Sequence, residues 1–349
     1  MNVLYAPDSY GGFLTAPEAV AQFEEAAARS GLFVTGHPLS DGGEGLLEVL
    51  RAHGPVELHG FEVPGPDGEQ VFASVARRRG VWWIESAEVI GLHLTHQSAM
   101  DNSSYGLGCL IRHVANTQPG PIVVGLGGTA TMDGGIGMLQ GMGFTIRDSS
   151  GRPKASPVTL RTLAEVAQVD HAAPFELPVI QVACDVRTAA RNAAAEFGPQ
   201  KGLSPAEVEL CGPTLARIAD VLCRGTRVPT STPGGGAAGG AGLALASRVA
   251  AGLGSGARMV SKATRLDSAL ADADVVVVGE GRLDSSSFMG KVVDEVTRRA
   301  QRHQRPVHAL VGIAQVSDPR VESVEEIGSK DRAAFERGAL RLCARLSSR

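Results

Sequence analysis

Pro121-Ile122-Val123-Val124-Gly125-Leu126-Gly127-Gly128-Thr129-Ala130-Thr131-Met132-Asp133-Gly134-Gly135 passes from three consecutive β-branched apolar residues straight into glycine, threonine and aspartate. A strand apolar on both faces belongs inside a parallel sheet covered by helices on either side. The loop leaving such a strand is where α/β folds hold ligands. Consecutive backbone N–H groups here can form an anion nest, and Thr129 and Thr131 add hydroxyl donors. The stretch also satisfies G-x-G-x-x-A from Gly125 to Ala130, with Asp148 about 20 residues onward, the pattern of a dinucleotide site. An NAD-dependent oxidoreductase built on Gly125–Ala130 is therefore one reading. Against it, Gly134, Gly135, Gly137 and Gly141 would all fall inside the helix that this fingerprint requires.

Outward from this stretch, short β-branched runs alternate with Ala/Leu-rich segments, as in chains built from βαβ units. The pattern predicts strands at Val3–Ala6, Val81–Glu85, Pro121–Gly125, Val179–Ala183, Asp274–Gly279 and Val307–Val311. It predicts helices at Ala16–Ser30, Gly43–Ala52, Gly108–Asn116, Pro205–Arg224, Gly240–Ala251 and Lys291–His303. Leu58–Arg79, centred on Pro64-Gly65-Pro66-Asp67-Gly68, reads as a β-hairpin. The expected fold is α/β with two domains. Residues 1–60 and 265–349, the two chain ends, form a Rossmann-like domain with a parallel sheet, and residues 61–264 form an inserted mixed α/β domain.

Composition narrows the function classes. The 349 residues carry 33 Lys+Arg against 37 Asp+Glu, a formal net charge of -4, so no basic field draws the chain to nucleic acid or an acidic membrane. Hydrophobic residues at 43% support a folded globule, while aromatics at 4% leave little for base stacking. Five cysteines without a CxxC pair argue against a disulfide framework or a thiolate zinc site. Neither a signal peptide nor a spanning segment is read, so the expected location is the cytoplasm, without a membrane partner. Neither H-E-x-x-H, G-x-S-x-G nor G-x-x-x-x-G-K-[ST] occurs, which removes the zinc hydrolase, the serine elbow and the P-loop.

Six further segments place chemistry near predicted strand ends. Asp8 and Ser9, leaving the first strand, either cap the next helix or contact a ligand. Asp41-Gly42-Gly43-Glu44-Gly45 matches a capping box, yet its glycines point to ligand or metal contact. Asp185 ends another strand, projecting from the sheet edge as an available base or metal ligand, or else serving as a helix cap. Lys201, in Phe197–Gly202, is either solvated or holds an anion. Gly234, Gly235, Gly236, Gly239 and Gly240 precede a helix and resemble a phosphate loop, the alternative being a linker. Gly279–Ser287 offers Arg282 as a fork for carboxylate or phosphate, with Glu280 and Asp284 able to hold Mg²⁺ through water. In the plainer reading Asp284 is a helix cap and Arg282 a surface charge.

Taken in order, these segments, with Ser104-Tyr105-Gly106, resemble the type-1 glycerate kinase family over nearly the whole chain. The resemblance implies two α/β domains with the active site in the cleft between them. It implies phosphorylation of D-glycerate with ATP and Mg²⁺, 2-phosphoglycerate being the favoured product. On this reading Asp185 is the base, with Asp133 as second choice, and Arg282 and Lys201 clamp anions. Ser9, Gly127, Gly128, Thr129 and Gly234–Gly240 face the nucleotide, and Asp41, Glu44 and Asp284 the metal. The family pattern A-P-D-S-F-K-G meets Tyr10-Gly11-Gly12, so Gly11 stands in place of a lysine. Met132 replaces an asparagine, and Arg187-Thr188-Ala189-Ala190 replaces D-N-P-L and a glycine loop. These departures keep open a kinase of another small hydroxy acid, or a protein without turnover. A monomer or homodimer is expected.

Overall fold

The computed structural model describes residues 1–170 and 177–348. Its strands are β1 (Asn2–Pro7), β2 (Phe33–Gly36), β3 (Glu57–Pro64), β4 (Gln70–Arg78), β5 (Val81–Glu85), β6 (Ile122–Gly125), β7 (Thr145–Arg147), β8 (Gln168–Asp170), β9 (Ile180–Ala183), β10 (Gly252–Gly254), β11 (Val275–Leu283), β12 (Val307–Ala314) and β13 (Ser323–Glu326). The chain divides into two compact units, Met1–Pro55 with Ser255–Arg349, and Val56–Gly254.

The first unit holds a five-stranded sheet in the order β13-β12-β11-β1-β2, parallel throughout. Helix Ala16–Arg29 starts on a complete capping box between Thr15 and Glu18 and buries Ala19, Phe23, Ala26 and Ala27. Helix Arg332–Ser347, absent from the sequence expectation, buries Phe335, Ala339, Leu342, Cys343 and Leu346 in the same core. From β1 the chain winds one way to β2 and later returns on the opposite side of β1 as β11. That reversal is the topological switch point of a doubly wound sheet, where open α/β folds leave a crevice at the carboxyl ends of the strands. Asp8 and Ser9 follow β1 there, and Glu280 lies beside them on β11.

The second unit is a six-stranded mixed sheet, β10-β9-β6-β5-β4-β3. Its first four strands run parallel, and β3–β4 is the expected hairpin joined antiparallel to β5. The short β7 and β8 pair separately. Helix Ile136–Met142 does contain Gly137 and Gly141. A Cβ on Gly141 would stand 2.1 Å from the Tyr105 carbonyl, and one on Gly108 would stand 1.9 Å from that of Met138. The glycines let two helices approach closely, which outweighs their intrinsic cost within a helix of roughly 0.5–1 kcal/mol each. The dinucleotide reading nevertheless fails: β7 leaves the parallel sheet, and Asp148 is used in a local turn, accepting from Ser150 and the Arg152 amide. Among the described residues no helix is long and apolar enough to cross a membrane, and none of the five cysteines is in a disulfide.

Candidate active site

In the first unit, the loop after β1 is held tightly to β11. The Asp8 amide donates to Gly279 O at 2.8 Å, and the Tyr10 hydroxyl donates to Leu310 O at 2.6 Å. A Cβ on Gly281 would lie 3.0 Å from the Tyr10 carbonyl carbon, so a side chain there would press on the loop backbone at this height. Glu280 is set between these anchors. Burial raises its carboxyl pKa to about 7 against the opposing pull of Ser287 and Lys291, and Asp284 and Asp41 push it further up. Its Oε1 is buried with no hydrogen-bond partner among the described residues.

Asp284 caps the next turn, accepting on Oδ1 from the Ser286 amide at 2.8 Å and the Ser286 hydroxyl at 2.6 Å. Lys291 Nζ donates to the same hydroxyl at 3.0 Å. Arg282 is exposed on β11. A cavity of about 270 Å³ is lined by Asp8, Ser9, Glu44 and Glu48, with Leu39 and Val49 among its apolar walls. The capping box expected from Asp41 and Glu44 does not form. Gly42 and Gly45 take φ of 91° and 85°, so the helix starts only at Leu46. Asp41 instead accepts from the Gly43 amide at 2.9 Å within the loop. Among the described residues, no group of three His, Cys, Asp or Glu side chains is arranged to hold a metal. Mg²⁺ commonly takes one or two carboxylates, with water and phosphate completing its shell. The unpaired Glu280 oxygen and the half-exposed Asp41 and Asp284 fit that donor chemistry.

In the second unit, Gly127, Gly128, Thr129 and Lys201 line one cavity of about 120 Å³ together with Val186 and Gln200. Lys201 is buried, and Nζ donates to Thr129 Oγ1 at 3.0 Å and to Thr131 O at 2.9 Å. Burial lowers its pKa from 10.5 to about 7, the more distant Asp133 charge pulling the other way. Thr131 Oγ1 and Asn102 Oδ1 are buried without a partner among the described residues. The sequence marks Asn102 only by the polar run Asp101–Ser104 ahead of a helix.

Asp133 has a different place from the one expected. It is fully buried and accepts from the amides of Ser104, Gly135 and Gly137 and from the hydroxyls of Ser103 and Ser104. Its oxygens are spent on tying two helix starts together, which leaves no face for a substrate hydroxyl. The Gly234–Gly240 run likewise differs from an open phosphate loop. It is buried, and the amides of Gly235, Gly236, Ala237 and Gly240 donate to chain carbonyls. A Cβ on Gly239 would lie 2.3 Å from Thr131 O, so this run is the bed on which the Thr129–Gly134 loop lies. Met132 is fully buried in the apolar core, not at a ligand surface. Asp185 stands two residues beyond the end of β9 and is half-buried, next to the cavity-lining Val186.

A family model described as the glycerate kinase family matches residues 3–338. The glycerate 2-kinase of Escherichia coli (strain K12) is 36% identical over 327 residues, covering 89% of this chain and 85% of that protein. The glycerate kinase of Haemophilus influenzae is 34% identical over 329 residues, covering 89% and 86%. A crystal structure of a protein from Salmonella typhimurium LT2 matches with a TM-score of 0.82 at 33% identity, covering 100% of this chain and 98% of that one.

Proposed function

The chain belongs to the glycerate kinase family, and on that premise we propose that it transfers the γ-phosphoryl group of ATP to a hydroxyl of D-glycerate, with 2-phosphoglycerate as the favoured product. The observation that carries the reading is Lys201, a desolvated ammonium in a cavity with Gly127, Gly128 and Thr129 and hydrogen-bonded to no carboxylate among the described residues. A buried cation with only neutral partners gains most from an arriving anion, since the desolvation cost is already met in the fold. A phosphate oxygen beside Nζ and the orphaned Thr131 hydroxyl supplies that anion.

In the transfer, the acid's hydroxyl oxygen forms the new bond to the γ-phosphorus while the bond from that phosphorus to the β-phosphate oxygen breaks, and ADP leaves. The hydroxyl proton passes to a carboxylate, for which Asp185, just beyond β9, is the assignment. Asp133 is a positioning residue that fixes Ser104 and the amides of Gly135 and Gly137. Arg282 meets the carboxylate or phosphate as a planar fork. Asp41, Glu44 and Asp284 are the residues that would hold Mg²⁺, with Glu280 near them. When bound, the ion neutralises charge on the phosphate oxygens.

Release of ADP from ATP and Mg²⁺ with D-glycerate, beside L-glycerate and other small hydroxy acids, tests the reading. Turnover with D-glycerate of order 1–10³ per second is expected, and phosphorus NMR of the product distinguishes the 2- from the 3-phosphate. Absence of ADP release with every acid overturns it. Turnover with a different acid alone moves the assignment to a kinase of that acid.

A further inference from the structure

We propose that Lys330 supplies, from the far end of the chain, the positive charge that the loop after β1 needs to meet an anionic oxygen of the substrates. Gly11 and Gly12 take φ of 58° and 81°, a backbone conformation that strains any residue bearing a side chain. A lysine at position 11, where the family pattern has one, is therefore disfavoured in this loop. If a Cβ is placed on Gly11, its nearest neighbour is Lys330 Nζ, 4.0 Å away. Lys330 lies between β13 and helix Arg332–Ser347 and is exposed. Its ammonium has neither a hydrogen bond nor an ion pair among the described residues.

Both sides of this juxtaposition are anchored. Tyr10 ties the loop down through its hydroxyl to Leu310 O, at 2.6 Å, and through its amide to Leu14 O, at 2.9 Å. The segment bearing Lys330 is fixed before it by the Gly328 amide on Gly312 O, at 3.1 Å, and after it by Asp331, which caps the helix through the Ala334 amide at 2.8 Å. An ammonium on a four-carbon stem can close on a carboxylate or phosphate oxygen without moving the backbone. The loop it covers continues from Asp8 and Ser9, which line the cavity at the sheet's switch point.

The inference rests on the kinase reading above and deepens it by naming an anion contact. The test compares wild type with K330A, K330Q and K330R, measuring KM for D-glycerate and for ATP separately. K330A is expected to raise one of the two KM values by about fivefold, the scale of an exposed charge contact, with kcat within about twofold. The substrate whose KM moves identifies the anion as the acid's carboxylate or the nucleotide's phosphate. K330R should restore most of the lost affinity and K330Q, which keeps length and polarity without the charge, should not, a split that a merely structural role for Lys330 would not produce. Unchanged KM for both substrates in K330A overturns the inference. If wild type turns over no acid at all, the kinase reading falls separately, and thermal shifts by ATP and by D-glycerate decide the matter. A smaller shift in K330A than in wild type supports the contact, and equal or absent shifts overturn it.

Discussion

Lys201 Nζ and Thr129 Oγ1 stand 3.0 Å apart, an ammonium held by a neutral hydroxyl where a carboxylate would be the usual partner. Its lowered pKa of about 7 means that the folded protein releases a proton from this site at neutral pH while the unfolded chain keeps it up to about 10.4. The unfolded state thus binds more protons between these values, so this group makes stability rise as pH increases from about 7 to 10. Anion binding runs the other way, because it favours the charged form. KM for the nucleotide should climb above about pH 7 in wild type and lose that slope in Lys201→Met, with kcat/KM down by about 100-fold at pH 7. Retention of the wild-type pH profile in Lys201→Met would remove the phosphate contact.

Asp133 and Asp185 should separate structure from chemistry. Asp133→Asn turns an amide NH₂ toward a site whose neighbours are all donors, which should cost about 3 kcal/mol of stability. At low temperature its remaining folded fraction should keep kcat/KM within about tenfold of wild type. Asp185→Asn should do the reverse, with a drop in kcat/KM beyond about tenfold and little change in Tm. Thermal melts and steady-state rates on both variants decide. A stable Asp133→Asn without activity would return Asp133 to the chemistry.

What was legible beforehand follows from the range of the forces involved. The run Ile122-Val123-Val124 can satisfy its apolar side chains only as a strand covered on both faces, so the parallel sheet was readable locally. So was the hairpin around Pro64–Gly68. Gly137 and Gly141 misled because their value lies in a neighbouring helix some 30 residues earlier, which no local propensity reports. Asp133 could not be assigned from its own loop, since Ser103 and Ser104 decide whether its oxygens face substrate or backbone. For Lys201, its own segment left both a solvated and an anion-holding role open, because the Thr129–Thr131 loop that accepts its hydrogen bonds lies about 70 residues earlier in the chain. The Asp41 and Glu44 spacing imitated a cap, but left-handed Gly42 and Gly45 postpone the helix.

Gly239→Ala tests the bed beneath the glycine loop. Its φ is 65°, and the added Cβ would meet Thr131 O at 2.3 Å, a backbone atom that cannot swing aside. Strain in the left-handed region adds about 1–2 kcal/mol to an overpacking cost of about 1–3 kcal/mol. Denaturant titration should show a loss of at least about 2 kcal/mol. Because Thr131 O also accepts from Lys201, KM for the nucleotide should rise in the folded fraction. A neutral result on both counts would mean that the two loops do not support each other.

Glu280 carries the opposite pH signature to Lys201. Its carboxyl is raised by burial to about 7, while an unfolded glutamate titrates near 4.3. Between those values the folded protein binds the extra proton, so stability falls as pH rises through the window and stays reduced above it. Glu280→Gln removes the charge that burial penalises. No bond is lost at Oε1, which has no partner among the described residues, and the amide oxygen can still accept from Ser287. The variant should therefore match wild type near pH 4.5 and melt at a higher temperature at pH 8, the gap opening progressively between the two. Thermal denaturation from pH 4.5 to 8 without Mg²⁺ or nucleotide reads this directly. Parallel curves for the two proteins would show that the Glu280 carboxyl is already ionised at ordinary cost, and the site would have to be redrawn with Glu280 in solvent.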